Sequence, residues 1–182
     1  MIPGPARKGT ITPDMIREAL ERHGSFSFRA FGGSMMPVVR HGEMIRIEPL
    51  TATAARKGDI LFFATPDGRY IGHRFLGWAR GAGNERLMIT SGDTLPHYDP
   101  PHRPETLIGI IAAARRGGRE MTLPRGLRGW LMATASRIKC LAASPMLTLA
   151  SRLPVGVGHR LRPLIRYLIC GPVFVLGSIL RS

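Results

Sequence analysis

Ser34 follows two glycines and precedes Met35-Met36-Pro37 in the stretch Phe31-Gly32-Gly33-Ser34-Met35-Met36-Pro37, with Arg40-His41-Gly42-Glu43 a few residues later. With no side-chain bulk ahead of it, this serine sits where backbone can approach a substrate carbonyl closely. Such a setting suits a nucleophile whose oxyanion is held at its own N–H, with Gly33 and Met35 as the flanking substrate-binding and oxyanion positions. Taken alone, Gly-Gly-Ser also reads as an ordinary turn. A serine hydroxyl is a poor nucleophile at neutral pH and needs a neighbouring base to take its proton. His97 and His102 occur in Pro96-His97-Tyr98-Asp99-Pro100-Pro101-His102, which reads as a proline-rich loop and not as a metal site. Cys140 and Cys170 are the only cysteines and form no CxxC pair. Neither a disulfide framework, a zinc site nor a cofactor is expected.

The elements that would position these groups change character along the chain. Asp14 to His23 reads as a short helix, opened by Thr12-Pro13, stopped by Gly24, with Met15, Ile16 and Leu20 on one face. From Ser25 to Ala114 brief apolar runs alternate with Gly, Pro and Asp: Phe26–Phe31, Met44–Ile47, Ile60–Phe63, Tyr70–Phe75, Leu87–Thr90 and Leu107–Ala112. Met44-Ile45-Arg46-Ile47-Glu48 alternates as a strand does, and Pro66-Asp67-Gly68-Arg69 looks like a hairpin turn. The expected fold is mainly β, a compact domain with a short N-terminal helix and a C-terminal helical, basic tail. The expected divisions are an N-terminal segment 1–24, a β domain 25–120 and the tail 121–182, with Arg115 to Arg119 as a basic linker.

Five ordered blocks give the β region more meaning than any single motif. They are Gly33-Ser34-Met35-Met36-Pro37 with Gly42-Glu43; Arg56-Lys57-Gly58-Asp59-Ile60-Leu61-Phe62-Phe63; Tyr70-Ile71-Gly72-His73-Arg74-Phe75-Leu76-Gly77; Thr90-Ser91-Gly92-Asp93 leading to Asp99; and Leu107-Ile108-Gly109. In order and approximate spacing, over residues 28–114, they resemble the signal peptidase I family and the related SOS-repressor peptidases. The resemblance implies a serine peptidase with Ser34 as nucleophile. In most bacterial members the base is lysine, but Lys8, Lys57 and Lys139 all fall outside the base block. His73, directly before Arg74, stands there instead, and in this the chain is similar to the archaeal and endoplasmic-reticulum branch. The resemblance makes His73 the general base and offers Asp99 and Asp93 as the carboxylate that orients it, Asp99 first. Asp93 also reads as a turn residue after Gly92.

The chain departs from the family at two points. Gly32 stands where many bacterial members carry a serine that helps hold the oxyanion, so backbone N–H groups would do most of that work. Family members usually hang from an N-terminal transmembrane helix, whereas Met1 to Thr12 holds no apolar h-region and the apolar, basic segment is at the other end. A cytoplasmic setting with peripheral membrane attachment is the expectation.

Charge sharpens the view of that tail. Residues 1–120 hold 17 Lys or Arg against all twelve acids, while residues 121–182 hold nine Lys or Arg and no acid. Such a block suits an anionic partner, lipid or nucleic acid. Leu127, Trp130, Leu131, Ile138 and Leu141 share one face of a helix, with Arg128 and Lys139 elsewhere; Pro145, Pro154 and Pro163 are expected to cut the remainder. The last apolar run, Leu164 to Leu180, contains Arg166 and a Gly171-Pro172 break, so an interfacial helix or shallow hairpin fits it better than a span. The functional expectation is a peptidase cleaving a protein or peptide precursor at small residues near a membrane, the small-residue preference coming from the resemblance. A fold-retaining binding module docked on membrane or partner is the alternative. A self-cleaving regulator with its tail on DNA is disfavoured by the missing lysine base and the lack of a DNA-binding helix pair.

Overall fold

The computed structural model describes residues 11–151, 168 and 170–180. Helix α1 (Pro13–His23) is capped at its start by Thr12, whose hydroxyl accepts the Met15 N–H, and ends at Gly24 in the left-handed conformation, its N–H bonded to Leu20 O. Ile16 and Leu20 are buried, but Met15, expected on the same face, is exposed.

Seven strands follow: β1 (Phe26–Arg29), β2 (Met44–Glu48), β3 (Ile60–Ala64), β4 (Tyr70–Arg80), β5 (Arg86–Ser91), β6 (Leu107–Arg116) and β7 (Arg119–Thr122). Every pairing is antiparallel, in the order β1-β2-β6-β3-β4-β5, with β7 also on β6. The mainly β expectation is borne out. The β3–β4 hairpin closes at Pro66–Arg69, where Gly68 has positive φ and Thr65 N–H bonds to Arg69 O. Arg115 to Arg119 is not a linker: β6 runs through Arg116, Gly117 and Gly118 turn with positive φ, and β7 returns along β6. Two consecutive glycines made the stretch look like a spacer, whereas they form a tight turn.

β4 changes partners midway. Tyr70–Arg74 pairs with β3 and Arg74–Arg80 with β5. Among the described residues, the second edge of Tyr70–His73 and the outer edge of β1 therefore carry no ladder partner. One core, built on Ile16, Leu20, Val38, Ile47, Ile60 and Phe62, lies under α1 and the tail; a smaller one gathers Leu61, Phe63, Phe75 and Met88.

The tail packs on this sheet. Helix α2 (Gly126–Ser151) continues through Pro145, and residues 170–180 are helical across Gly171-Pro172, so neither proline interrupts a helix as expected. Pro154 and Pro163, like Leu164 and Arg166, lie outside the described residues. The buried side of α2 is Met132, Ala133, Ser136, Lys139, Cys140 and Ala143, while the apolar face around Leu127 and Ile138 is exposed. Small side chains allow the close approach that large ones forbid: a Cβ at Gly58, already at positive φ, would stand 2.1 Å from the Gly129 carbonyl carbon. Arg125 anchors the start of α2 on buried Asp59 at 3.1 Å.

Candidate active site

Ser34 lies in the turn after β1, entered through Gly32 at positive φ, with Gly32 N–H bonded to His41 Nδ1 at 3.1 Å. Its backbone is stitched to the turn after β5: Thr94 N–H donates to Ser34 O at 2.9 Å and Thr94 Oγ1 to Gly33 O at 3.0 Å. The neighbouring Gly42-Glu43 pair closes the same loop, Glu43 accepting the Arg40 N–H at 2.9 Å and contacting Arg116.

His73 is held on β4 opposite Leu61, and only 6% of it is exposed. Its Nε2 accepts from Ser34 Oγ at 2.9 Å, and its Nδ1–H donates to Asp99 Oδ2 at 2.7 Å. Asp99 belongs to the loop after β5 that returns to pair Met88 with His102, and its N–H is tied to Thr90 O at 2.9 Å. Thr90 Oγ1 donates to the same Asp99 Oδ2 at 2.6 Å. Burial works to raise the Asp99 carboxyl, but the His73 hydrogen bond and charge, then Thr90, outweigh it and hold the group below the ordinary carboxylate range. An ionised Asp99 fixes the His73 tautomer that leaves Nε2 as acceptor toward Ser34.

Of the two aspartates expected beside His73, Asp93 is elsewhere. It takes a bidentate bond from Arg74, Nε to Oδ1 at 2.8 Å and Nη2 to Oδ2 at 2.6 Å, with both side chains fully buried. A buried guanidinium requires such a planar carboxylate partner, and Arg74 completes its set on Gly58 O at 2.8 Å. Asp93 thus braces the site from behind.

Sequence reasoning gave Thr90 no separate role and left Lys139 in the tail. Lys139 is 2% exposed, and its Nζ donates to Gly92 O at 2.7 Å and Asp93 O at 3.1 Å. Burial lowers its pKa, which nearby Cys140 and Asp93 partly offset. A lone lysine among small residues at helical spacing was the available signal. The hydroxyl of Ser136 also reaches Asp93 Oδ1, at 3.4 Å, and Ser91 Oγ lies 3.5 Å from Cys140 Sγ.

His97 contributes its carbonyl to Ser91 Oγ at 2.8 Å. His102 packs its ring on Phe63 with centroids 4.2 Å apart, and burial lowers its pKa. Among the described residues no cluster of His, Cys, Asp or Glu could hold a metal ion.

A cavity of about 330 Å³ opens beside Ser34 and His73, bounded by Phe28–Gly32 on one side and Tyr70–His73 on the other. Met35, Val39, Ile45 and Ile111 make its floor apolar, and Phe28, Phe62 and Tyr70 pack as an aromatic group at one end. Residues of both strands that lack a second ladder partner, Phe28 and Arg29 of β1 and Tyr70–His73 of β4, line this cavity. No family model, curated sequence or solved structure matches the chain.

Proposed function

We propose that this chain is a serine endopeptidase of the signal-peptidase type, cleaving a protein or peptide precursor. The observation that carries the reading is the continuous chain of contacts Ser34 Oγ, His73 Nε2, His73 Nδ1 and Asp99 Oδ2, at 2.9 and 2.7 Å. An extended substrate would pair its backbone with the two unpaired edges and set its apolar side chains on the cavity floor. Ser34 Oγ then attacks the scissile carbonyl carbon as its proton passes to His73 Nε2. The oxyanion is held by backbone N–H groups of the Gly33–Met35 turn, which take the place of a hydroxyl at Gly32. His73 returns the proton to the departing amine as the C–N bond breaks, and water, deprotonated by the same nitrogen, releases the acyl group. Asp99 stays ionised and stabilises the imidazolium.

The resemblance supports this reading, including its preference for small residues at the cut, and so does the apolar groove. A cytoplasmic setting suits the buried, unbridged Cys140 thiol.

The full chain, incubated with a fluorophosphonate probe and separately with a mixed peptide pool, is expected to carry an adduct on Ser34 and to generate new peptide termini. Ser34→Ala and His73→Ala are each expected to abolish cleavage without adding to one another, and Asp99→Asn to cost less than either. Termini that persist in Ser34→Ala overturn the nucleophile. A folded wild type that yields neither adduct nor termini overturns catalysis in favour of a binding module.

A further inference from the structure

Helix α2 wears its apolar side outward. Leu127, Ile138 and Leu141 are 73%, 62% and 63% exposed, with Leu131 and Trp130 on the same stripe. A helix seated on a globular domain ordinarily buries such a stripe and leaves its small and polar residues to water. Here the large side chains of the stripe stay outside, because Met132, Ala133, Ser136, Lys139, Cys140 and Ala143 are the residues turned inward. Helical residues 170–180 repeat the arrangement, with Val173 and Gly177 inward and Phe174 and Val175 exposed. The two helices adjoin: a Cβ at Gly177 would stand 3.2 Å from Met132 Cε, and Arg128 Nη1 reaches Leu180 O at 3.4 Å.

Charge decides what covers this face. Exposed Arg128 and Arg137 each adjoin a stripe residue in sequence and fall on opposite edges of the stripe, and Lys57 Nζ lies 5.3 Å from the centroid of the Trp130 ring. No acidic residue occurs after Glu120; among the described basic residues that follow, Arg125 is held by Asp59 and Lys139 is buried, which leaves Arg128 and Arg137 as the exposed cations flanking the stripe. Nucleic acid would accept the cations but offers nothing to the leucines. A bilayer surface accepts both, acyl chains taking Leu, Ile and Trp while phosphate headgroups take Arg and Lys.

We propose that α2 and helical residues 170–180 dock the protein flat on an anionic lipid surface. Among the described residues no helix is long and apolar enough to cross a membrane. Helical residues 170–180 also adjoin the loop that carries Ser34, since a Cβ at Gly177 would stand 3.1 Å from Pro37 Cδ and Cys170 Sγ bonds Thr94 O at 3.4 Å. The inference is independent of what Ser34 does.

Flotation of the full chain with phosphatidylcholine vesicles containing about one-third phosphatidylglycerol, against pure phosphatidylcholine, tests it. The expected result is recovery with the anionic vesicles alone, reduced by salt, with a blue shift of Trp130 emission that Trp130→Phe removes. Ile138→Glu with Leu141→Glu is expected to lower the bound fraction about tenfold or more, and Arg128→Ser with Arg137→Ser, which removes the Arg128–Leu180 contact but no buried side chain, several-fold. Absence of flotation with anionic vesicles overturns the proposal. So does equal recovery with neutral lipid, unchanged binding of the serine variant, or a soluble dimer of the wild type that does not float and that the glutamate pair dissociates.

Discussion

Gly92 leaves Ser34 no room for a neighbour with a side chain: a Cβ at position 92 would lie 2.9 Å from both Ser34 Cβ and Ser34 O. Backbone and the Ser34 Cβ are the obstacles, so the clash is not relieved by a flexible tip. Gly92→Ala is therefore expected to displace the hydroxyl from His73 and to lower kcat/KM about 100-fold, the effect of a misplacement near 1 Å. A steady-state assay beside a thermal melt checks it, and full activity at position 92 with alanine would show that the turn yields freely.

The Arg74–Asp93 pair predicts stability more than chemistry. Asp93→Asn leaves the guanidinium buried without its counter-charge and is expected to cost about 3–5 kcal/mol in urea unfolding, whereas Arg74→Met combined with Asp93→Leu costs less than either single change. A double-mutant cycle reads the coupling, and additive losses would contradict it.

Lys139→Met removes the donor to two buried carbonyls at the same turn. The expected loss is about 1–3 kcal/mol, with faster amide exchange at Thr94, whose N–H bonds Ser34 O. Unchanged exchange at Thr94 would show that α2 does not hold this turn.

Asp99 gives a pH signature with a definite sign. Its carboxyl is held below the ordinary range in the folded chain, so the unfolded chain binds a proton first as pH falls. The stability this confers is complete above the unfolded value of about 3.9 and is lost as pH falls through the lower folded value. The stability advantage of wild type over Asp99→Asn should therefore shrink from about pH 5 downward. Urea midpoints for both proteins across the acid range measure it, and a constant difference would contradict the ionised pair.

The strands were legible because alternation and punctuation are local: Met44–Glu48 and the turn at Pro66–Arg69 need only their own residues. β7 was not, since Arg119–Thr122 becomes a strand only by returning along β6. The pairing of Ser34 with His73 came from ordered blocks, and choosing between Asp93 and Asp99 required three dimensions, because the two are six residues apart and the competing partner, Arg74, is on another strand. Which side of α2 packs was not legible in its hydrophobicity, because closeness of approach between Gly58 and Gly129 selects the side with small residues.

The bond from Lys139 to the turn at Gly92 also bears on biosynthesis. Ser34, His73 and Asp99 are all polymerised before Lys139, at about 5–20 residues per second, and the sheet residues of the nascent chain can begin to fold first. The Lys139 clamp on the Gly92 turn and the Arg125 anchor on Asp59 arrive together afterwards. A ribosome-bound chain stalled before α2 thus carries Ser34, His73 and Asp99 without the brace that fixes their geometry, and under the proposed function cleavage would wait for α2.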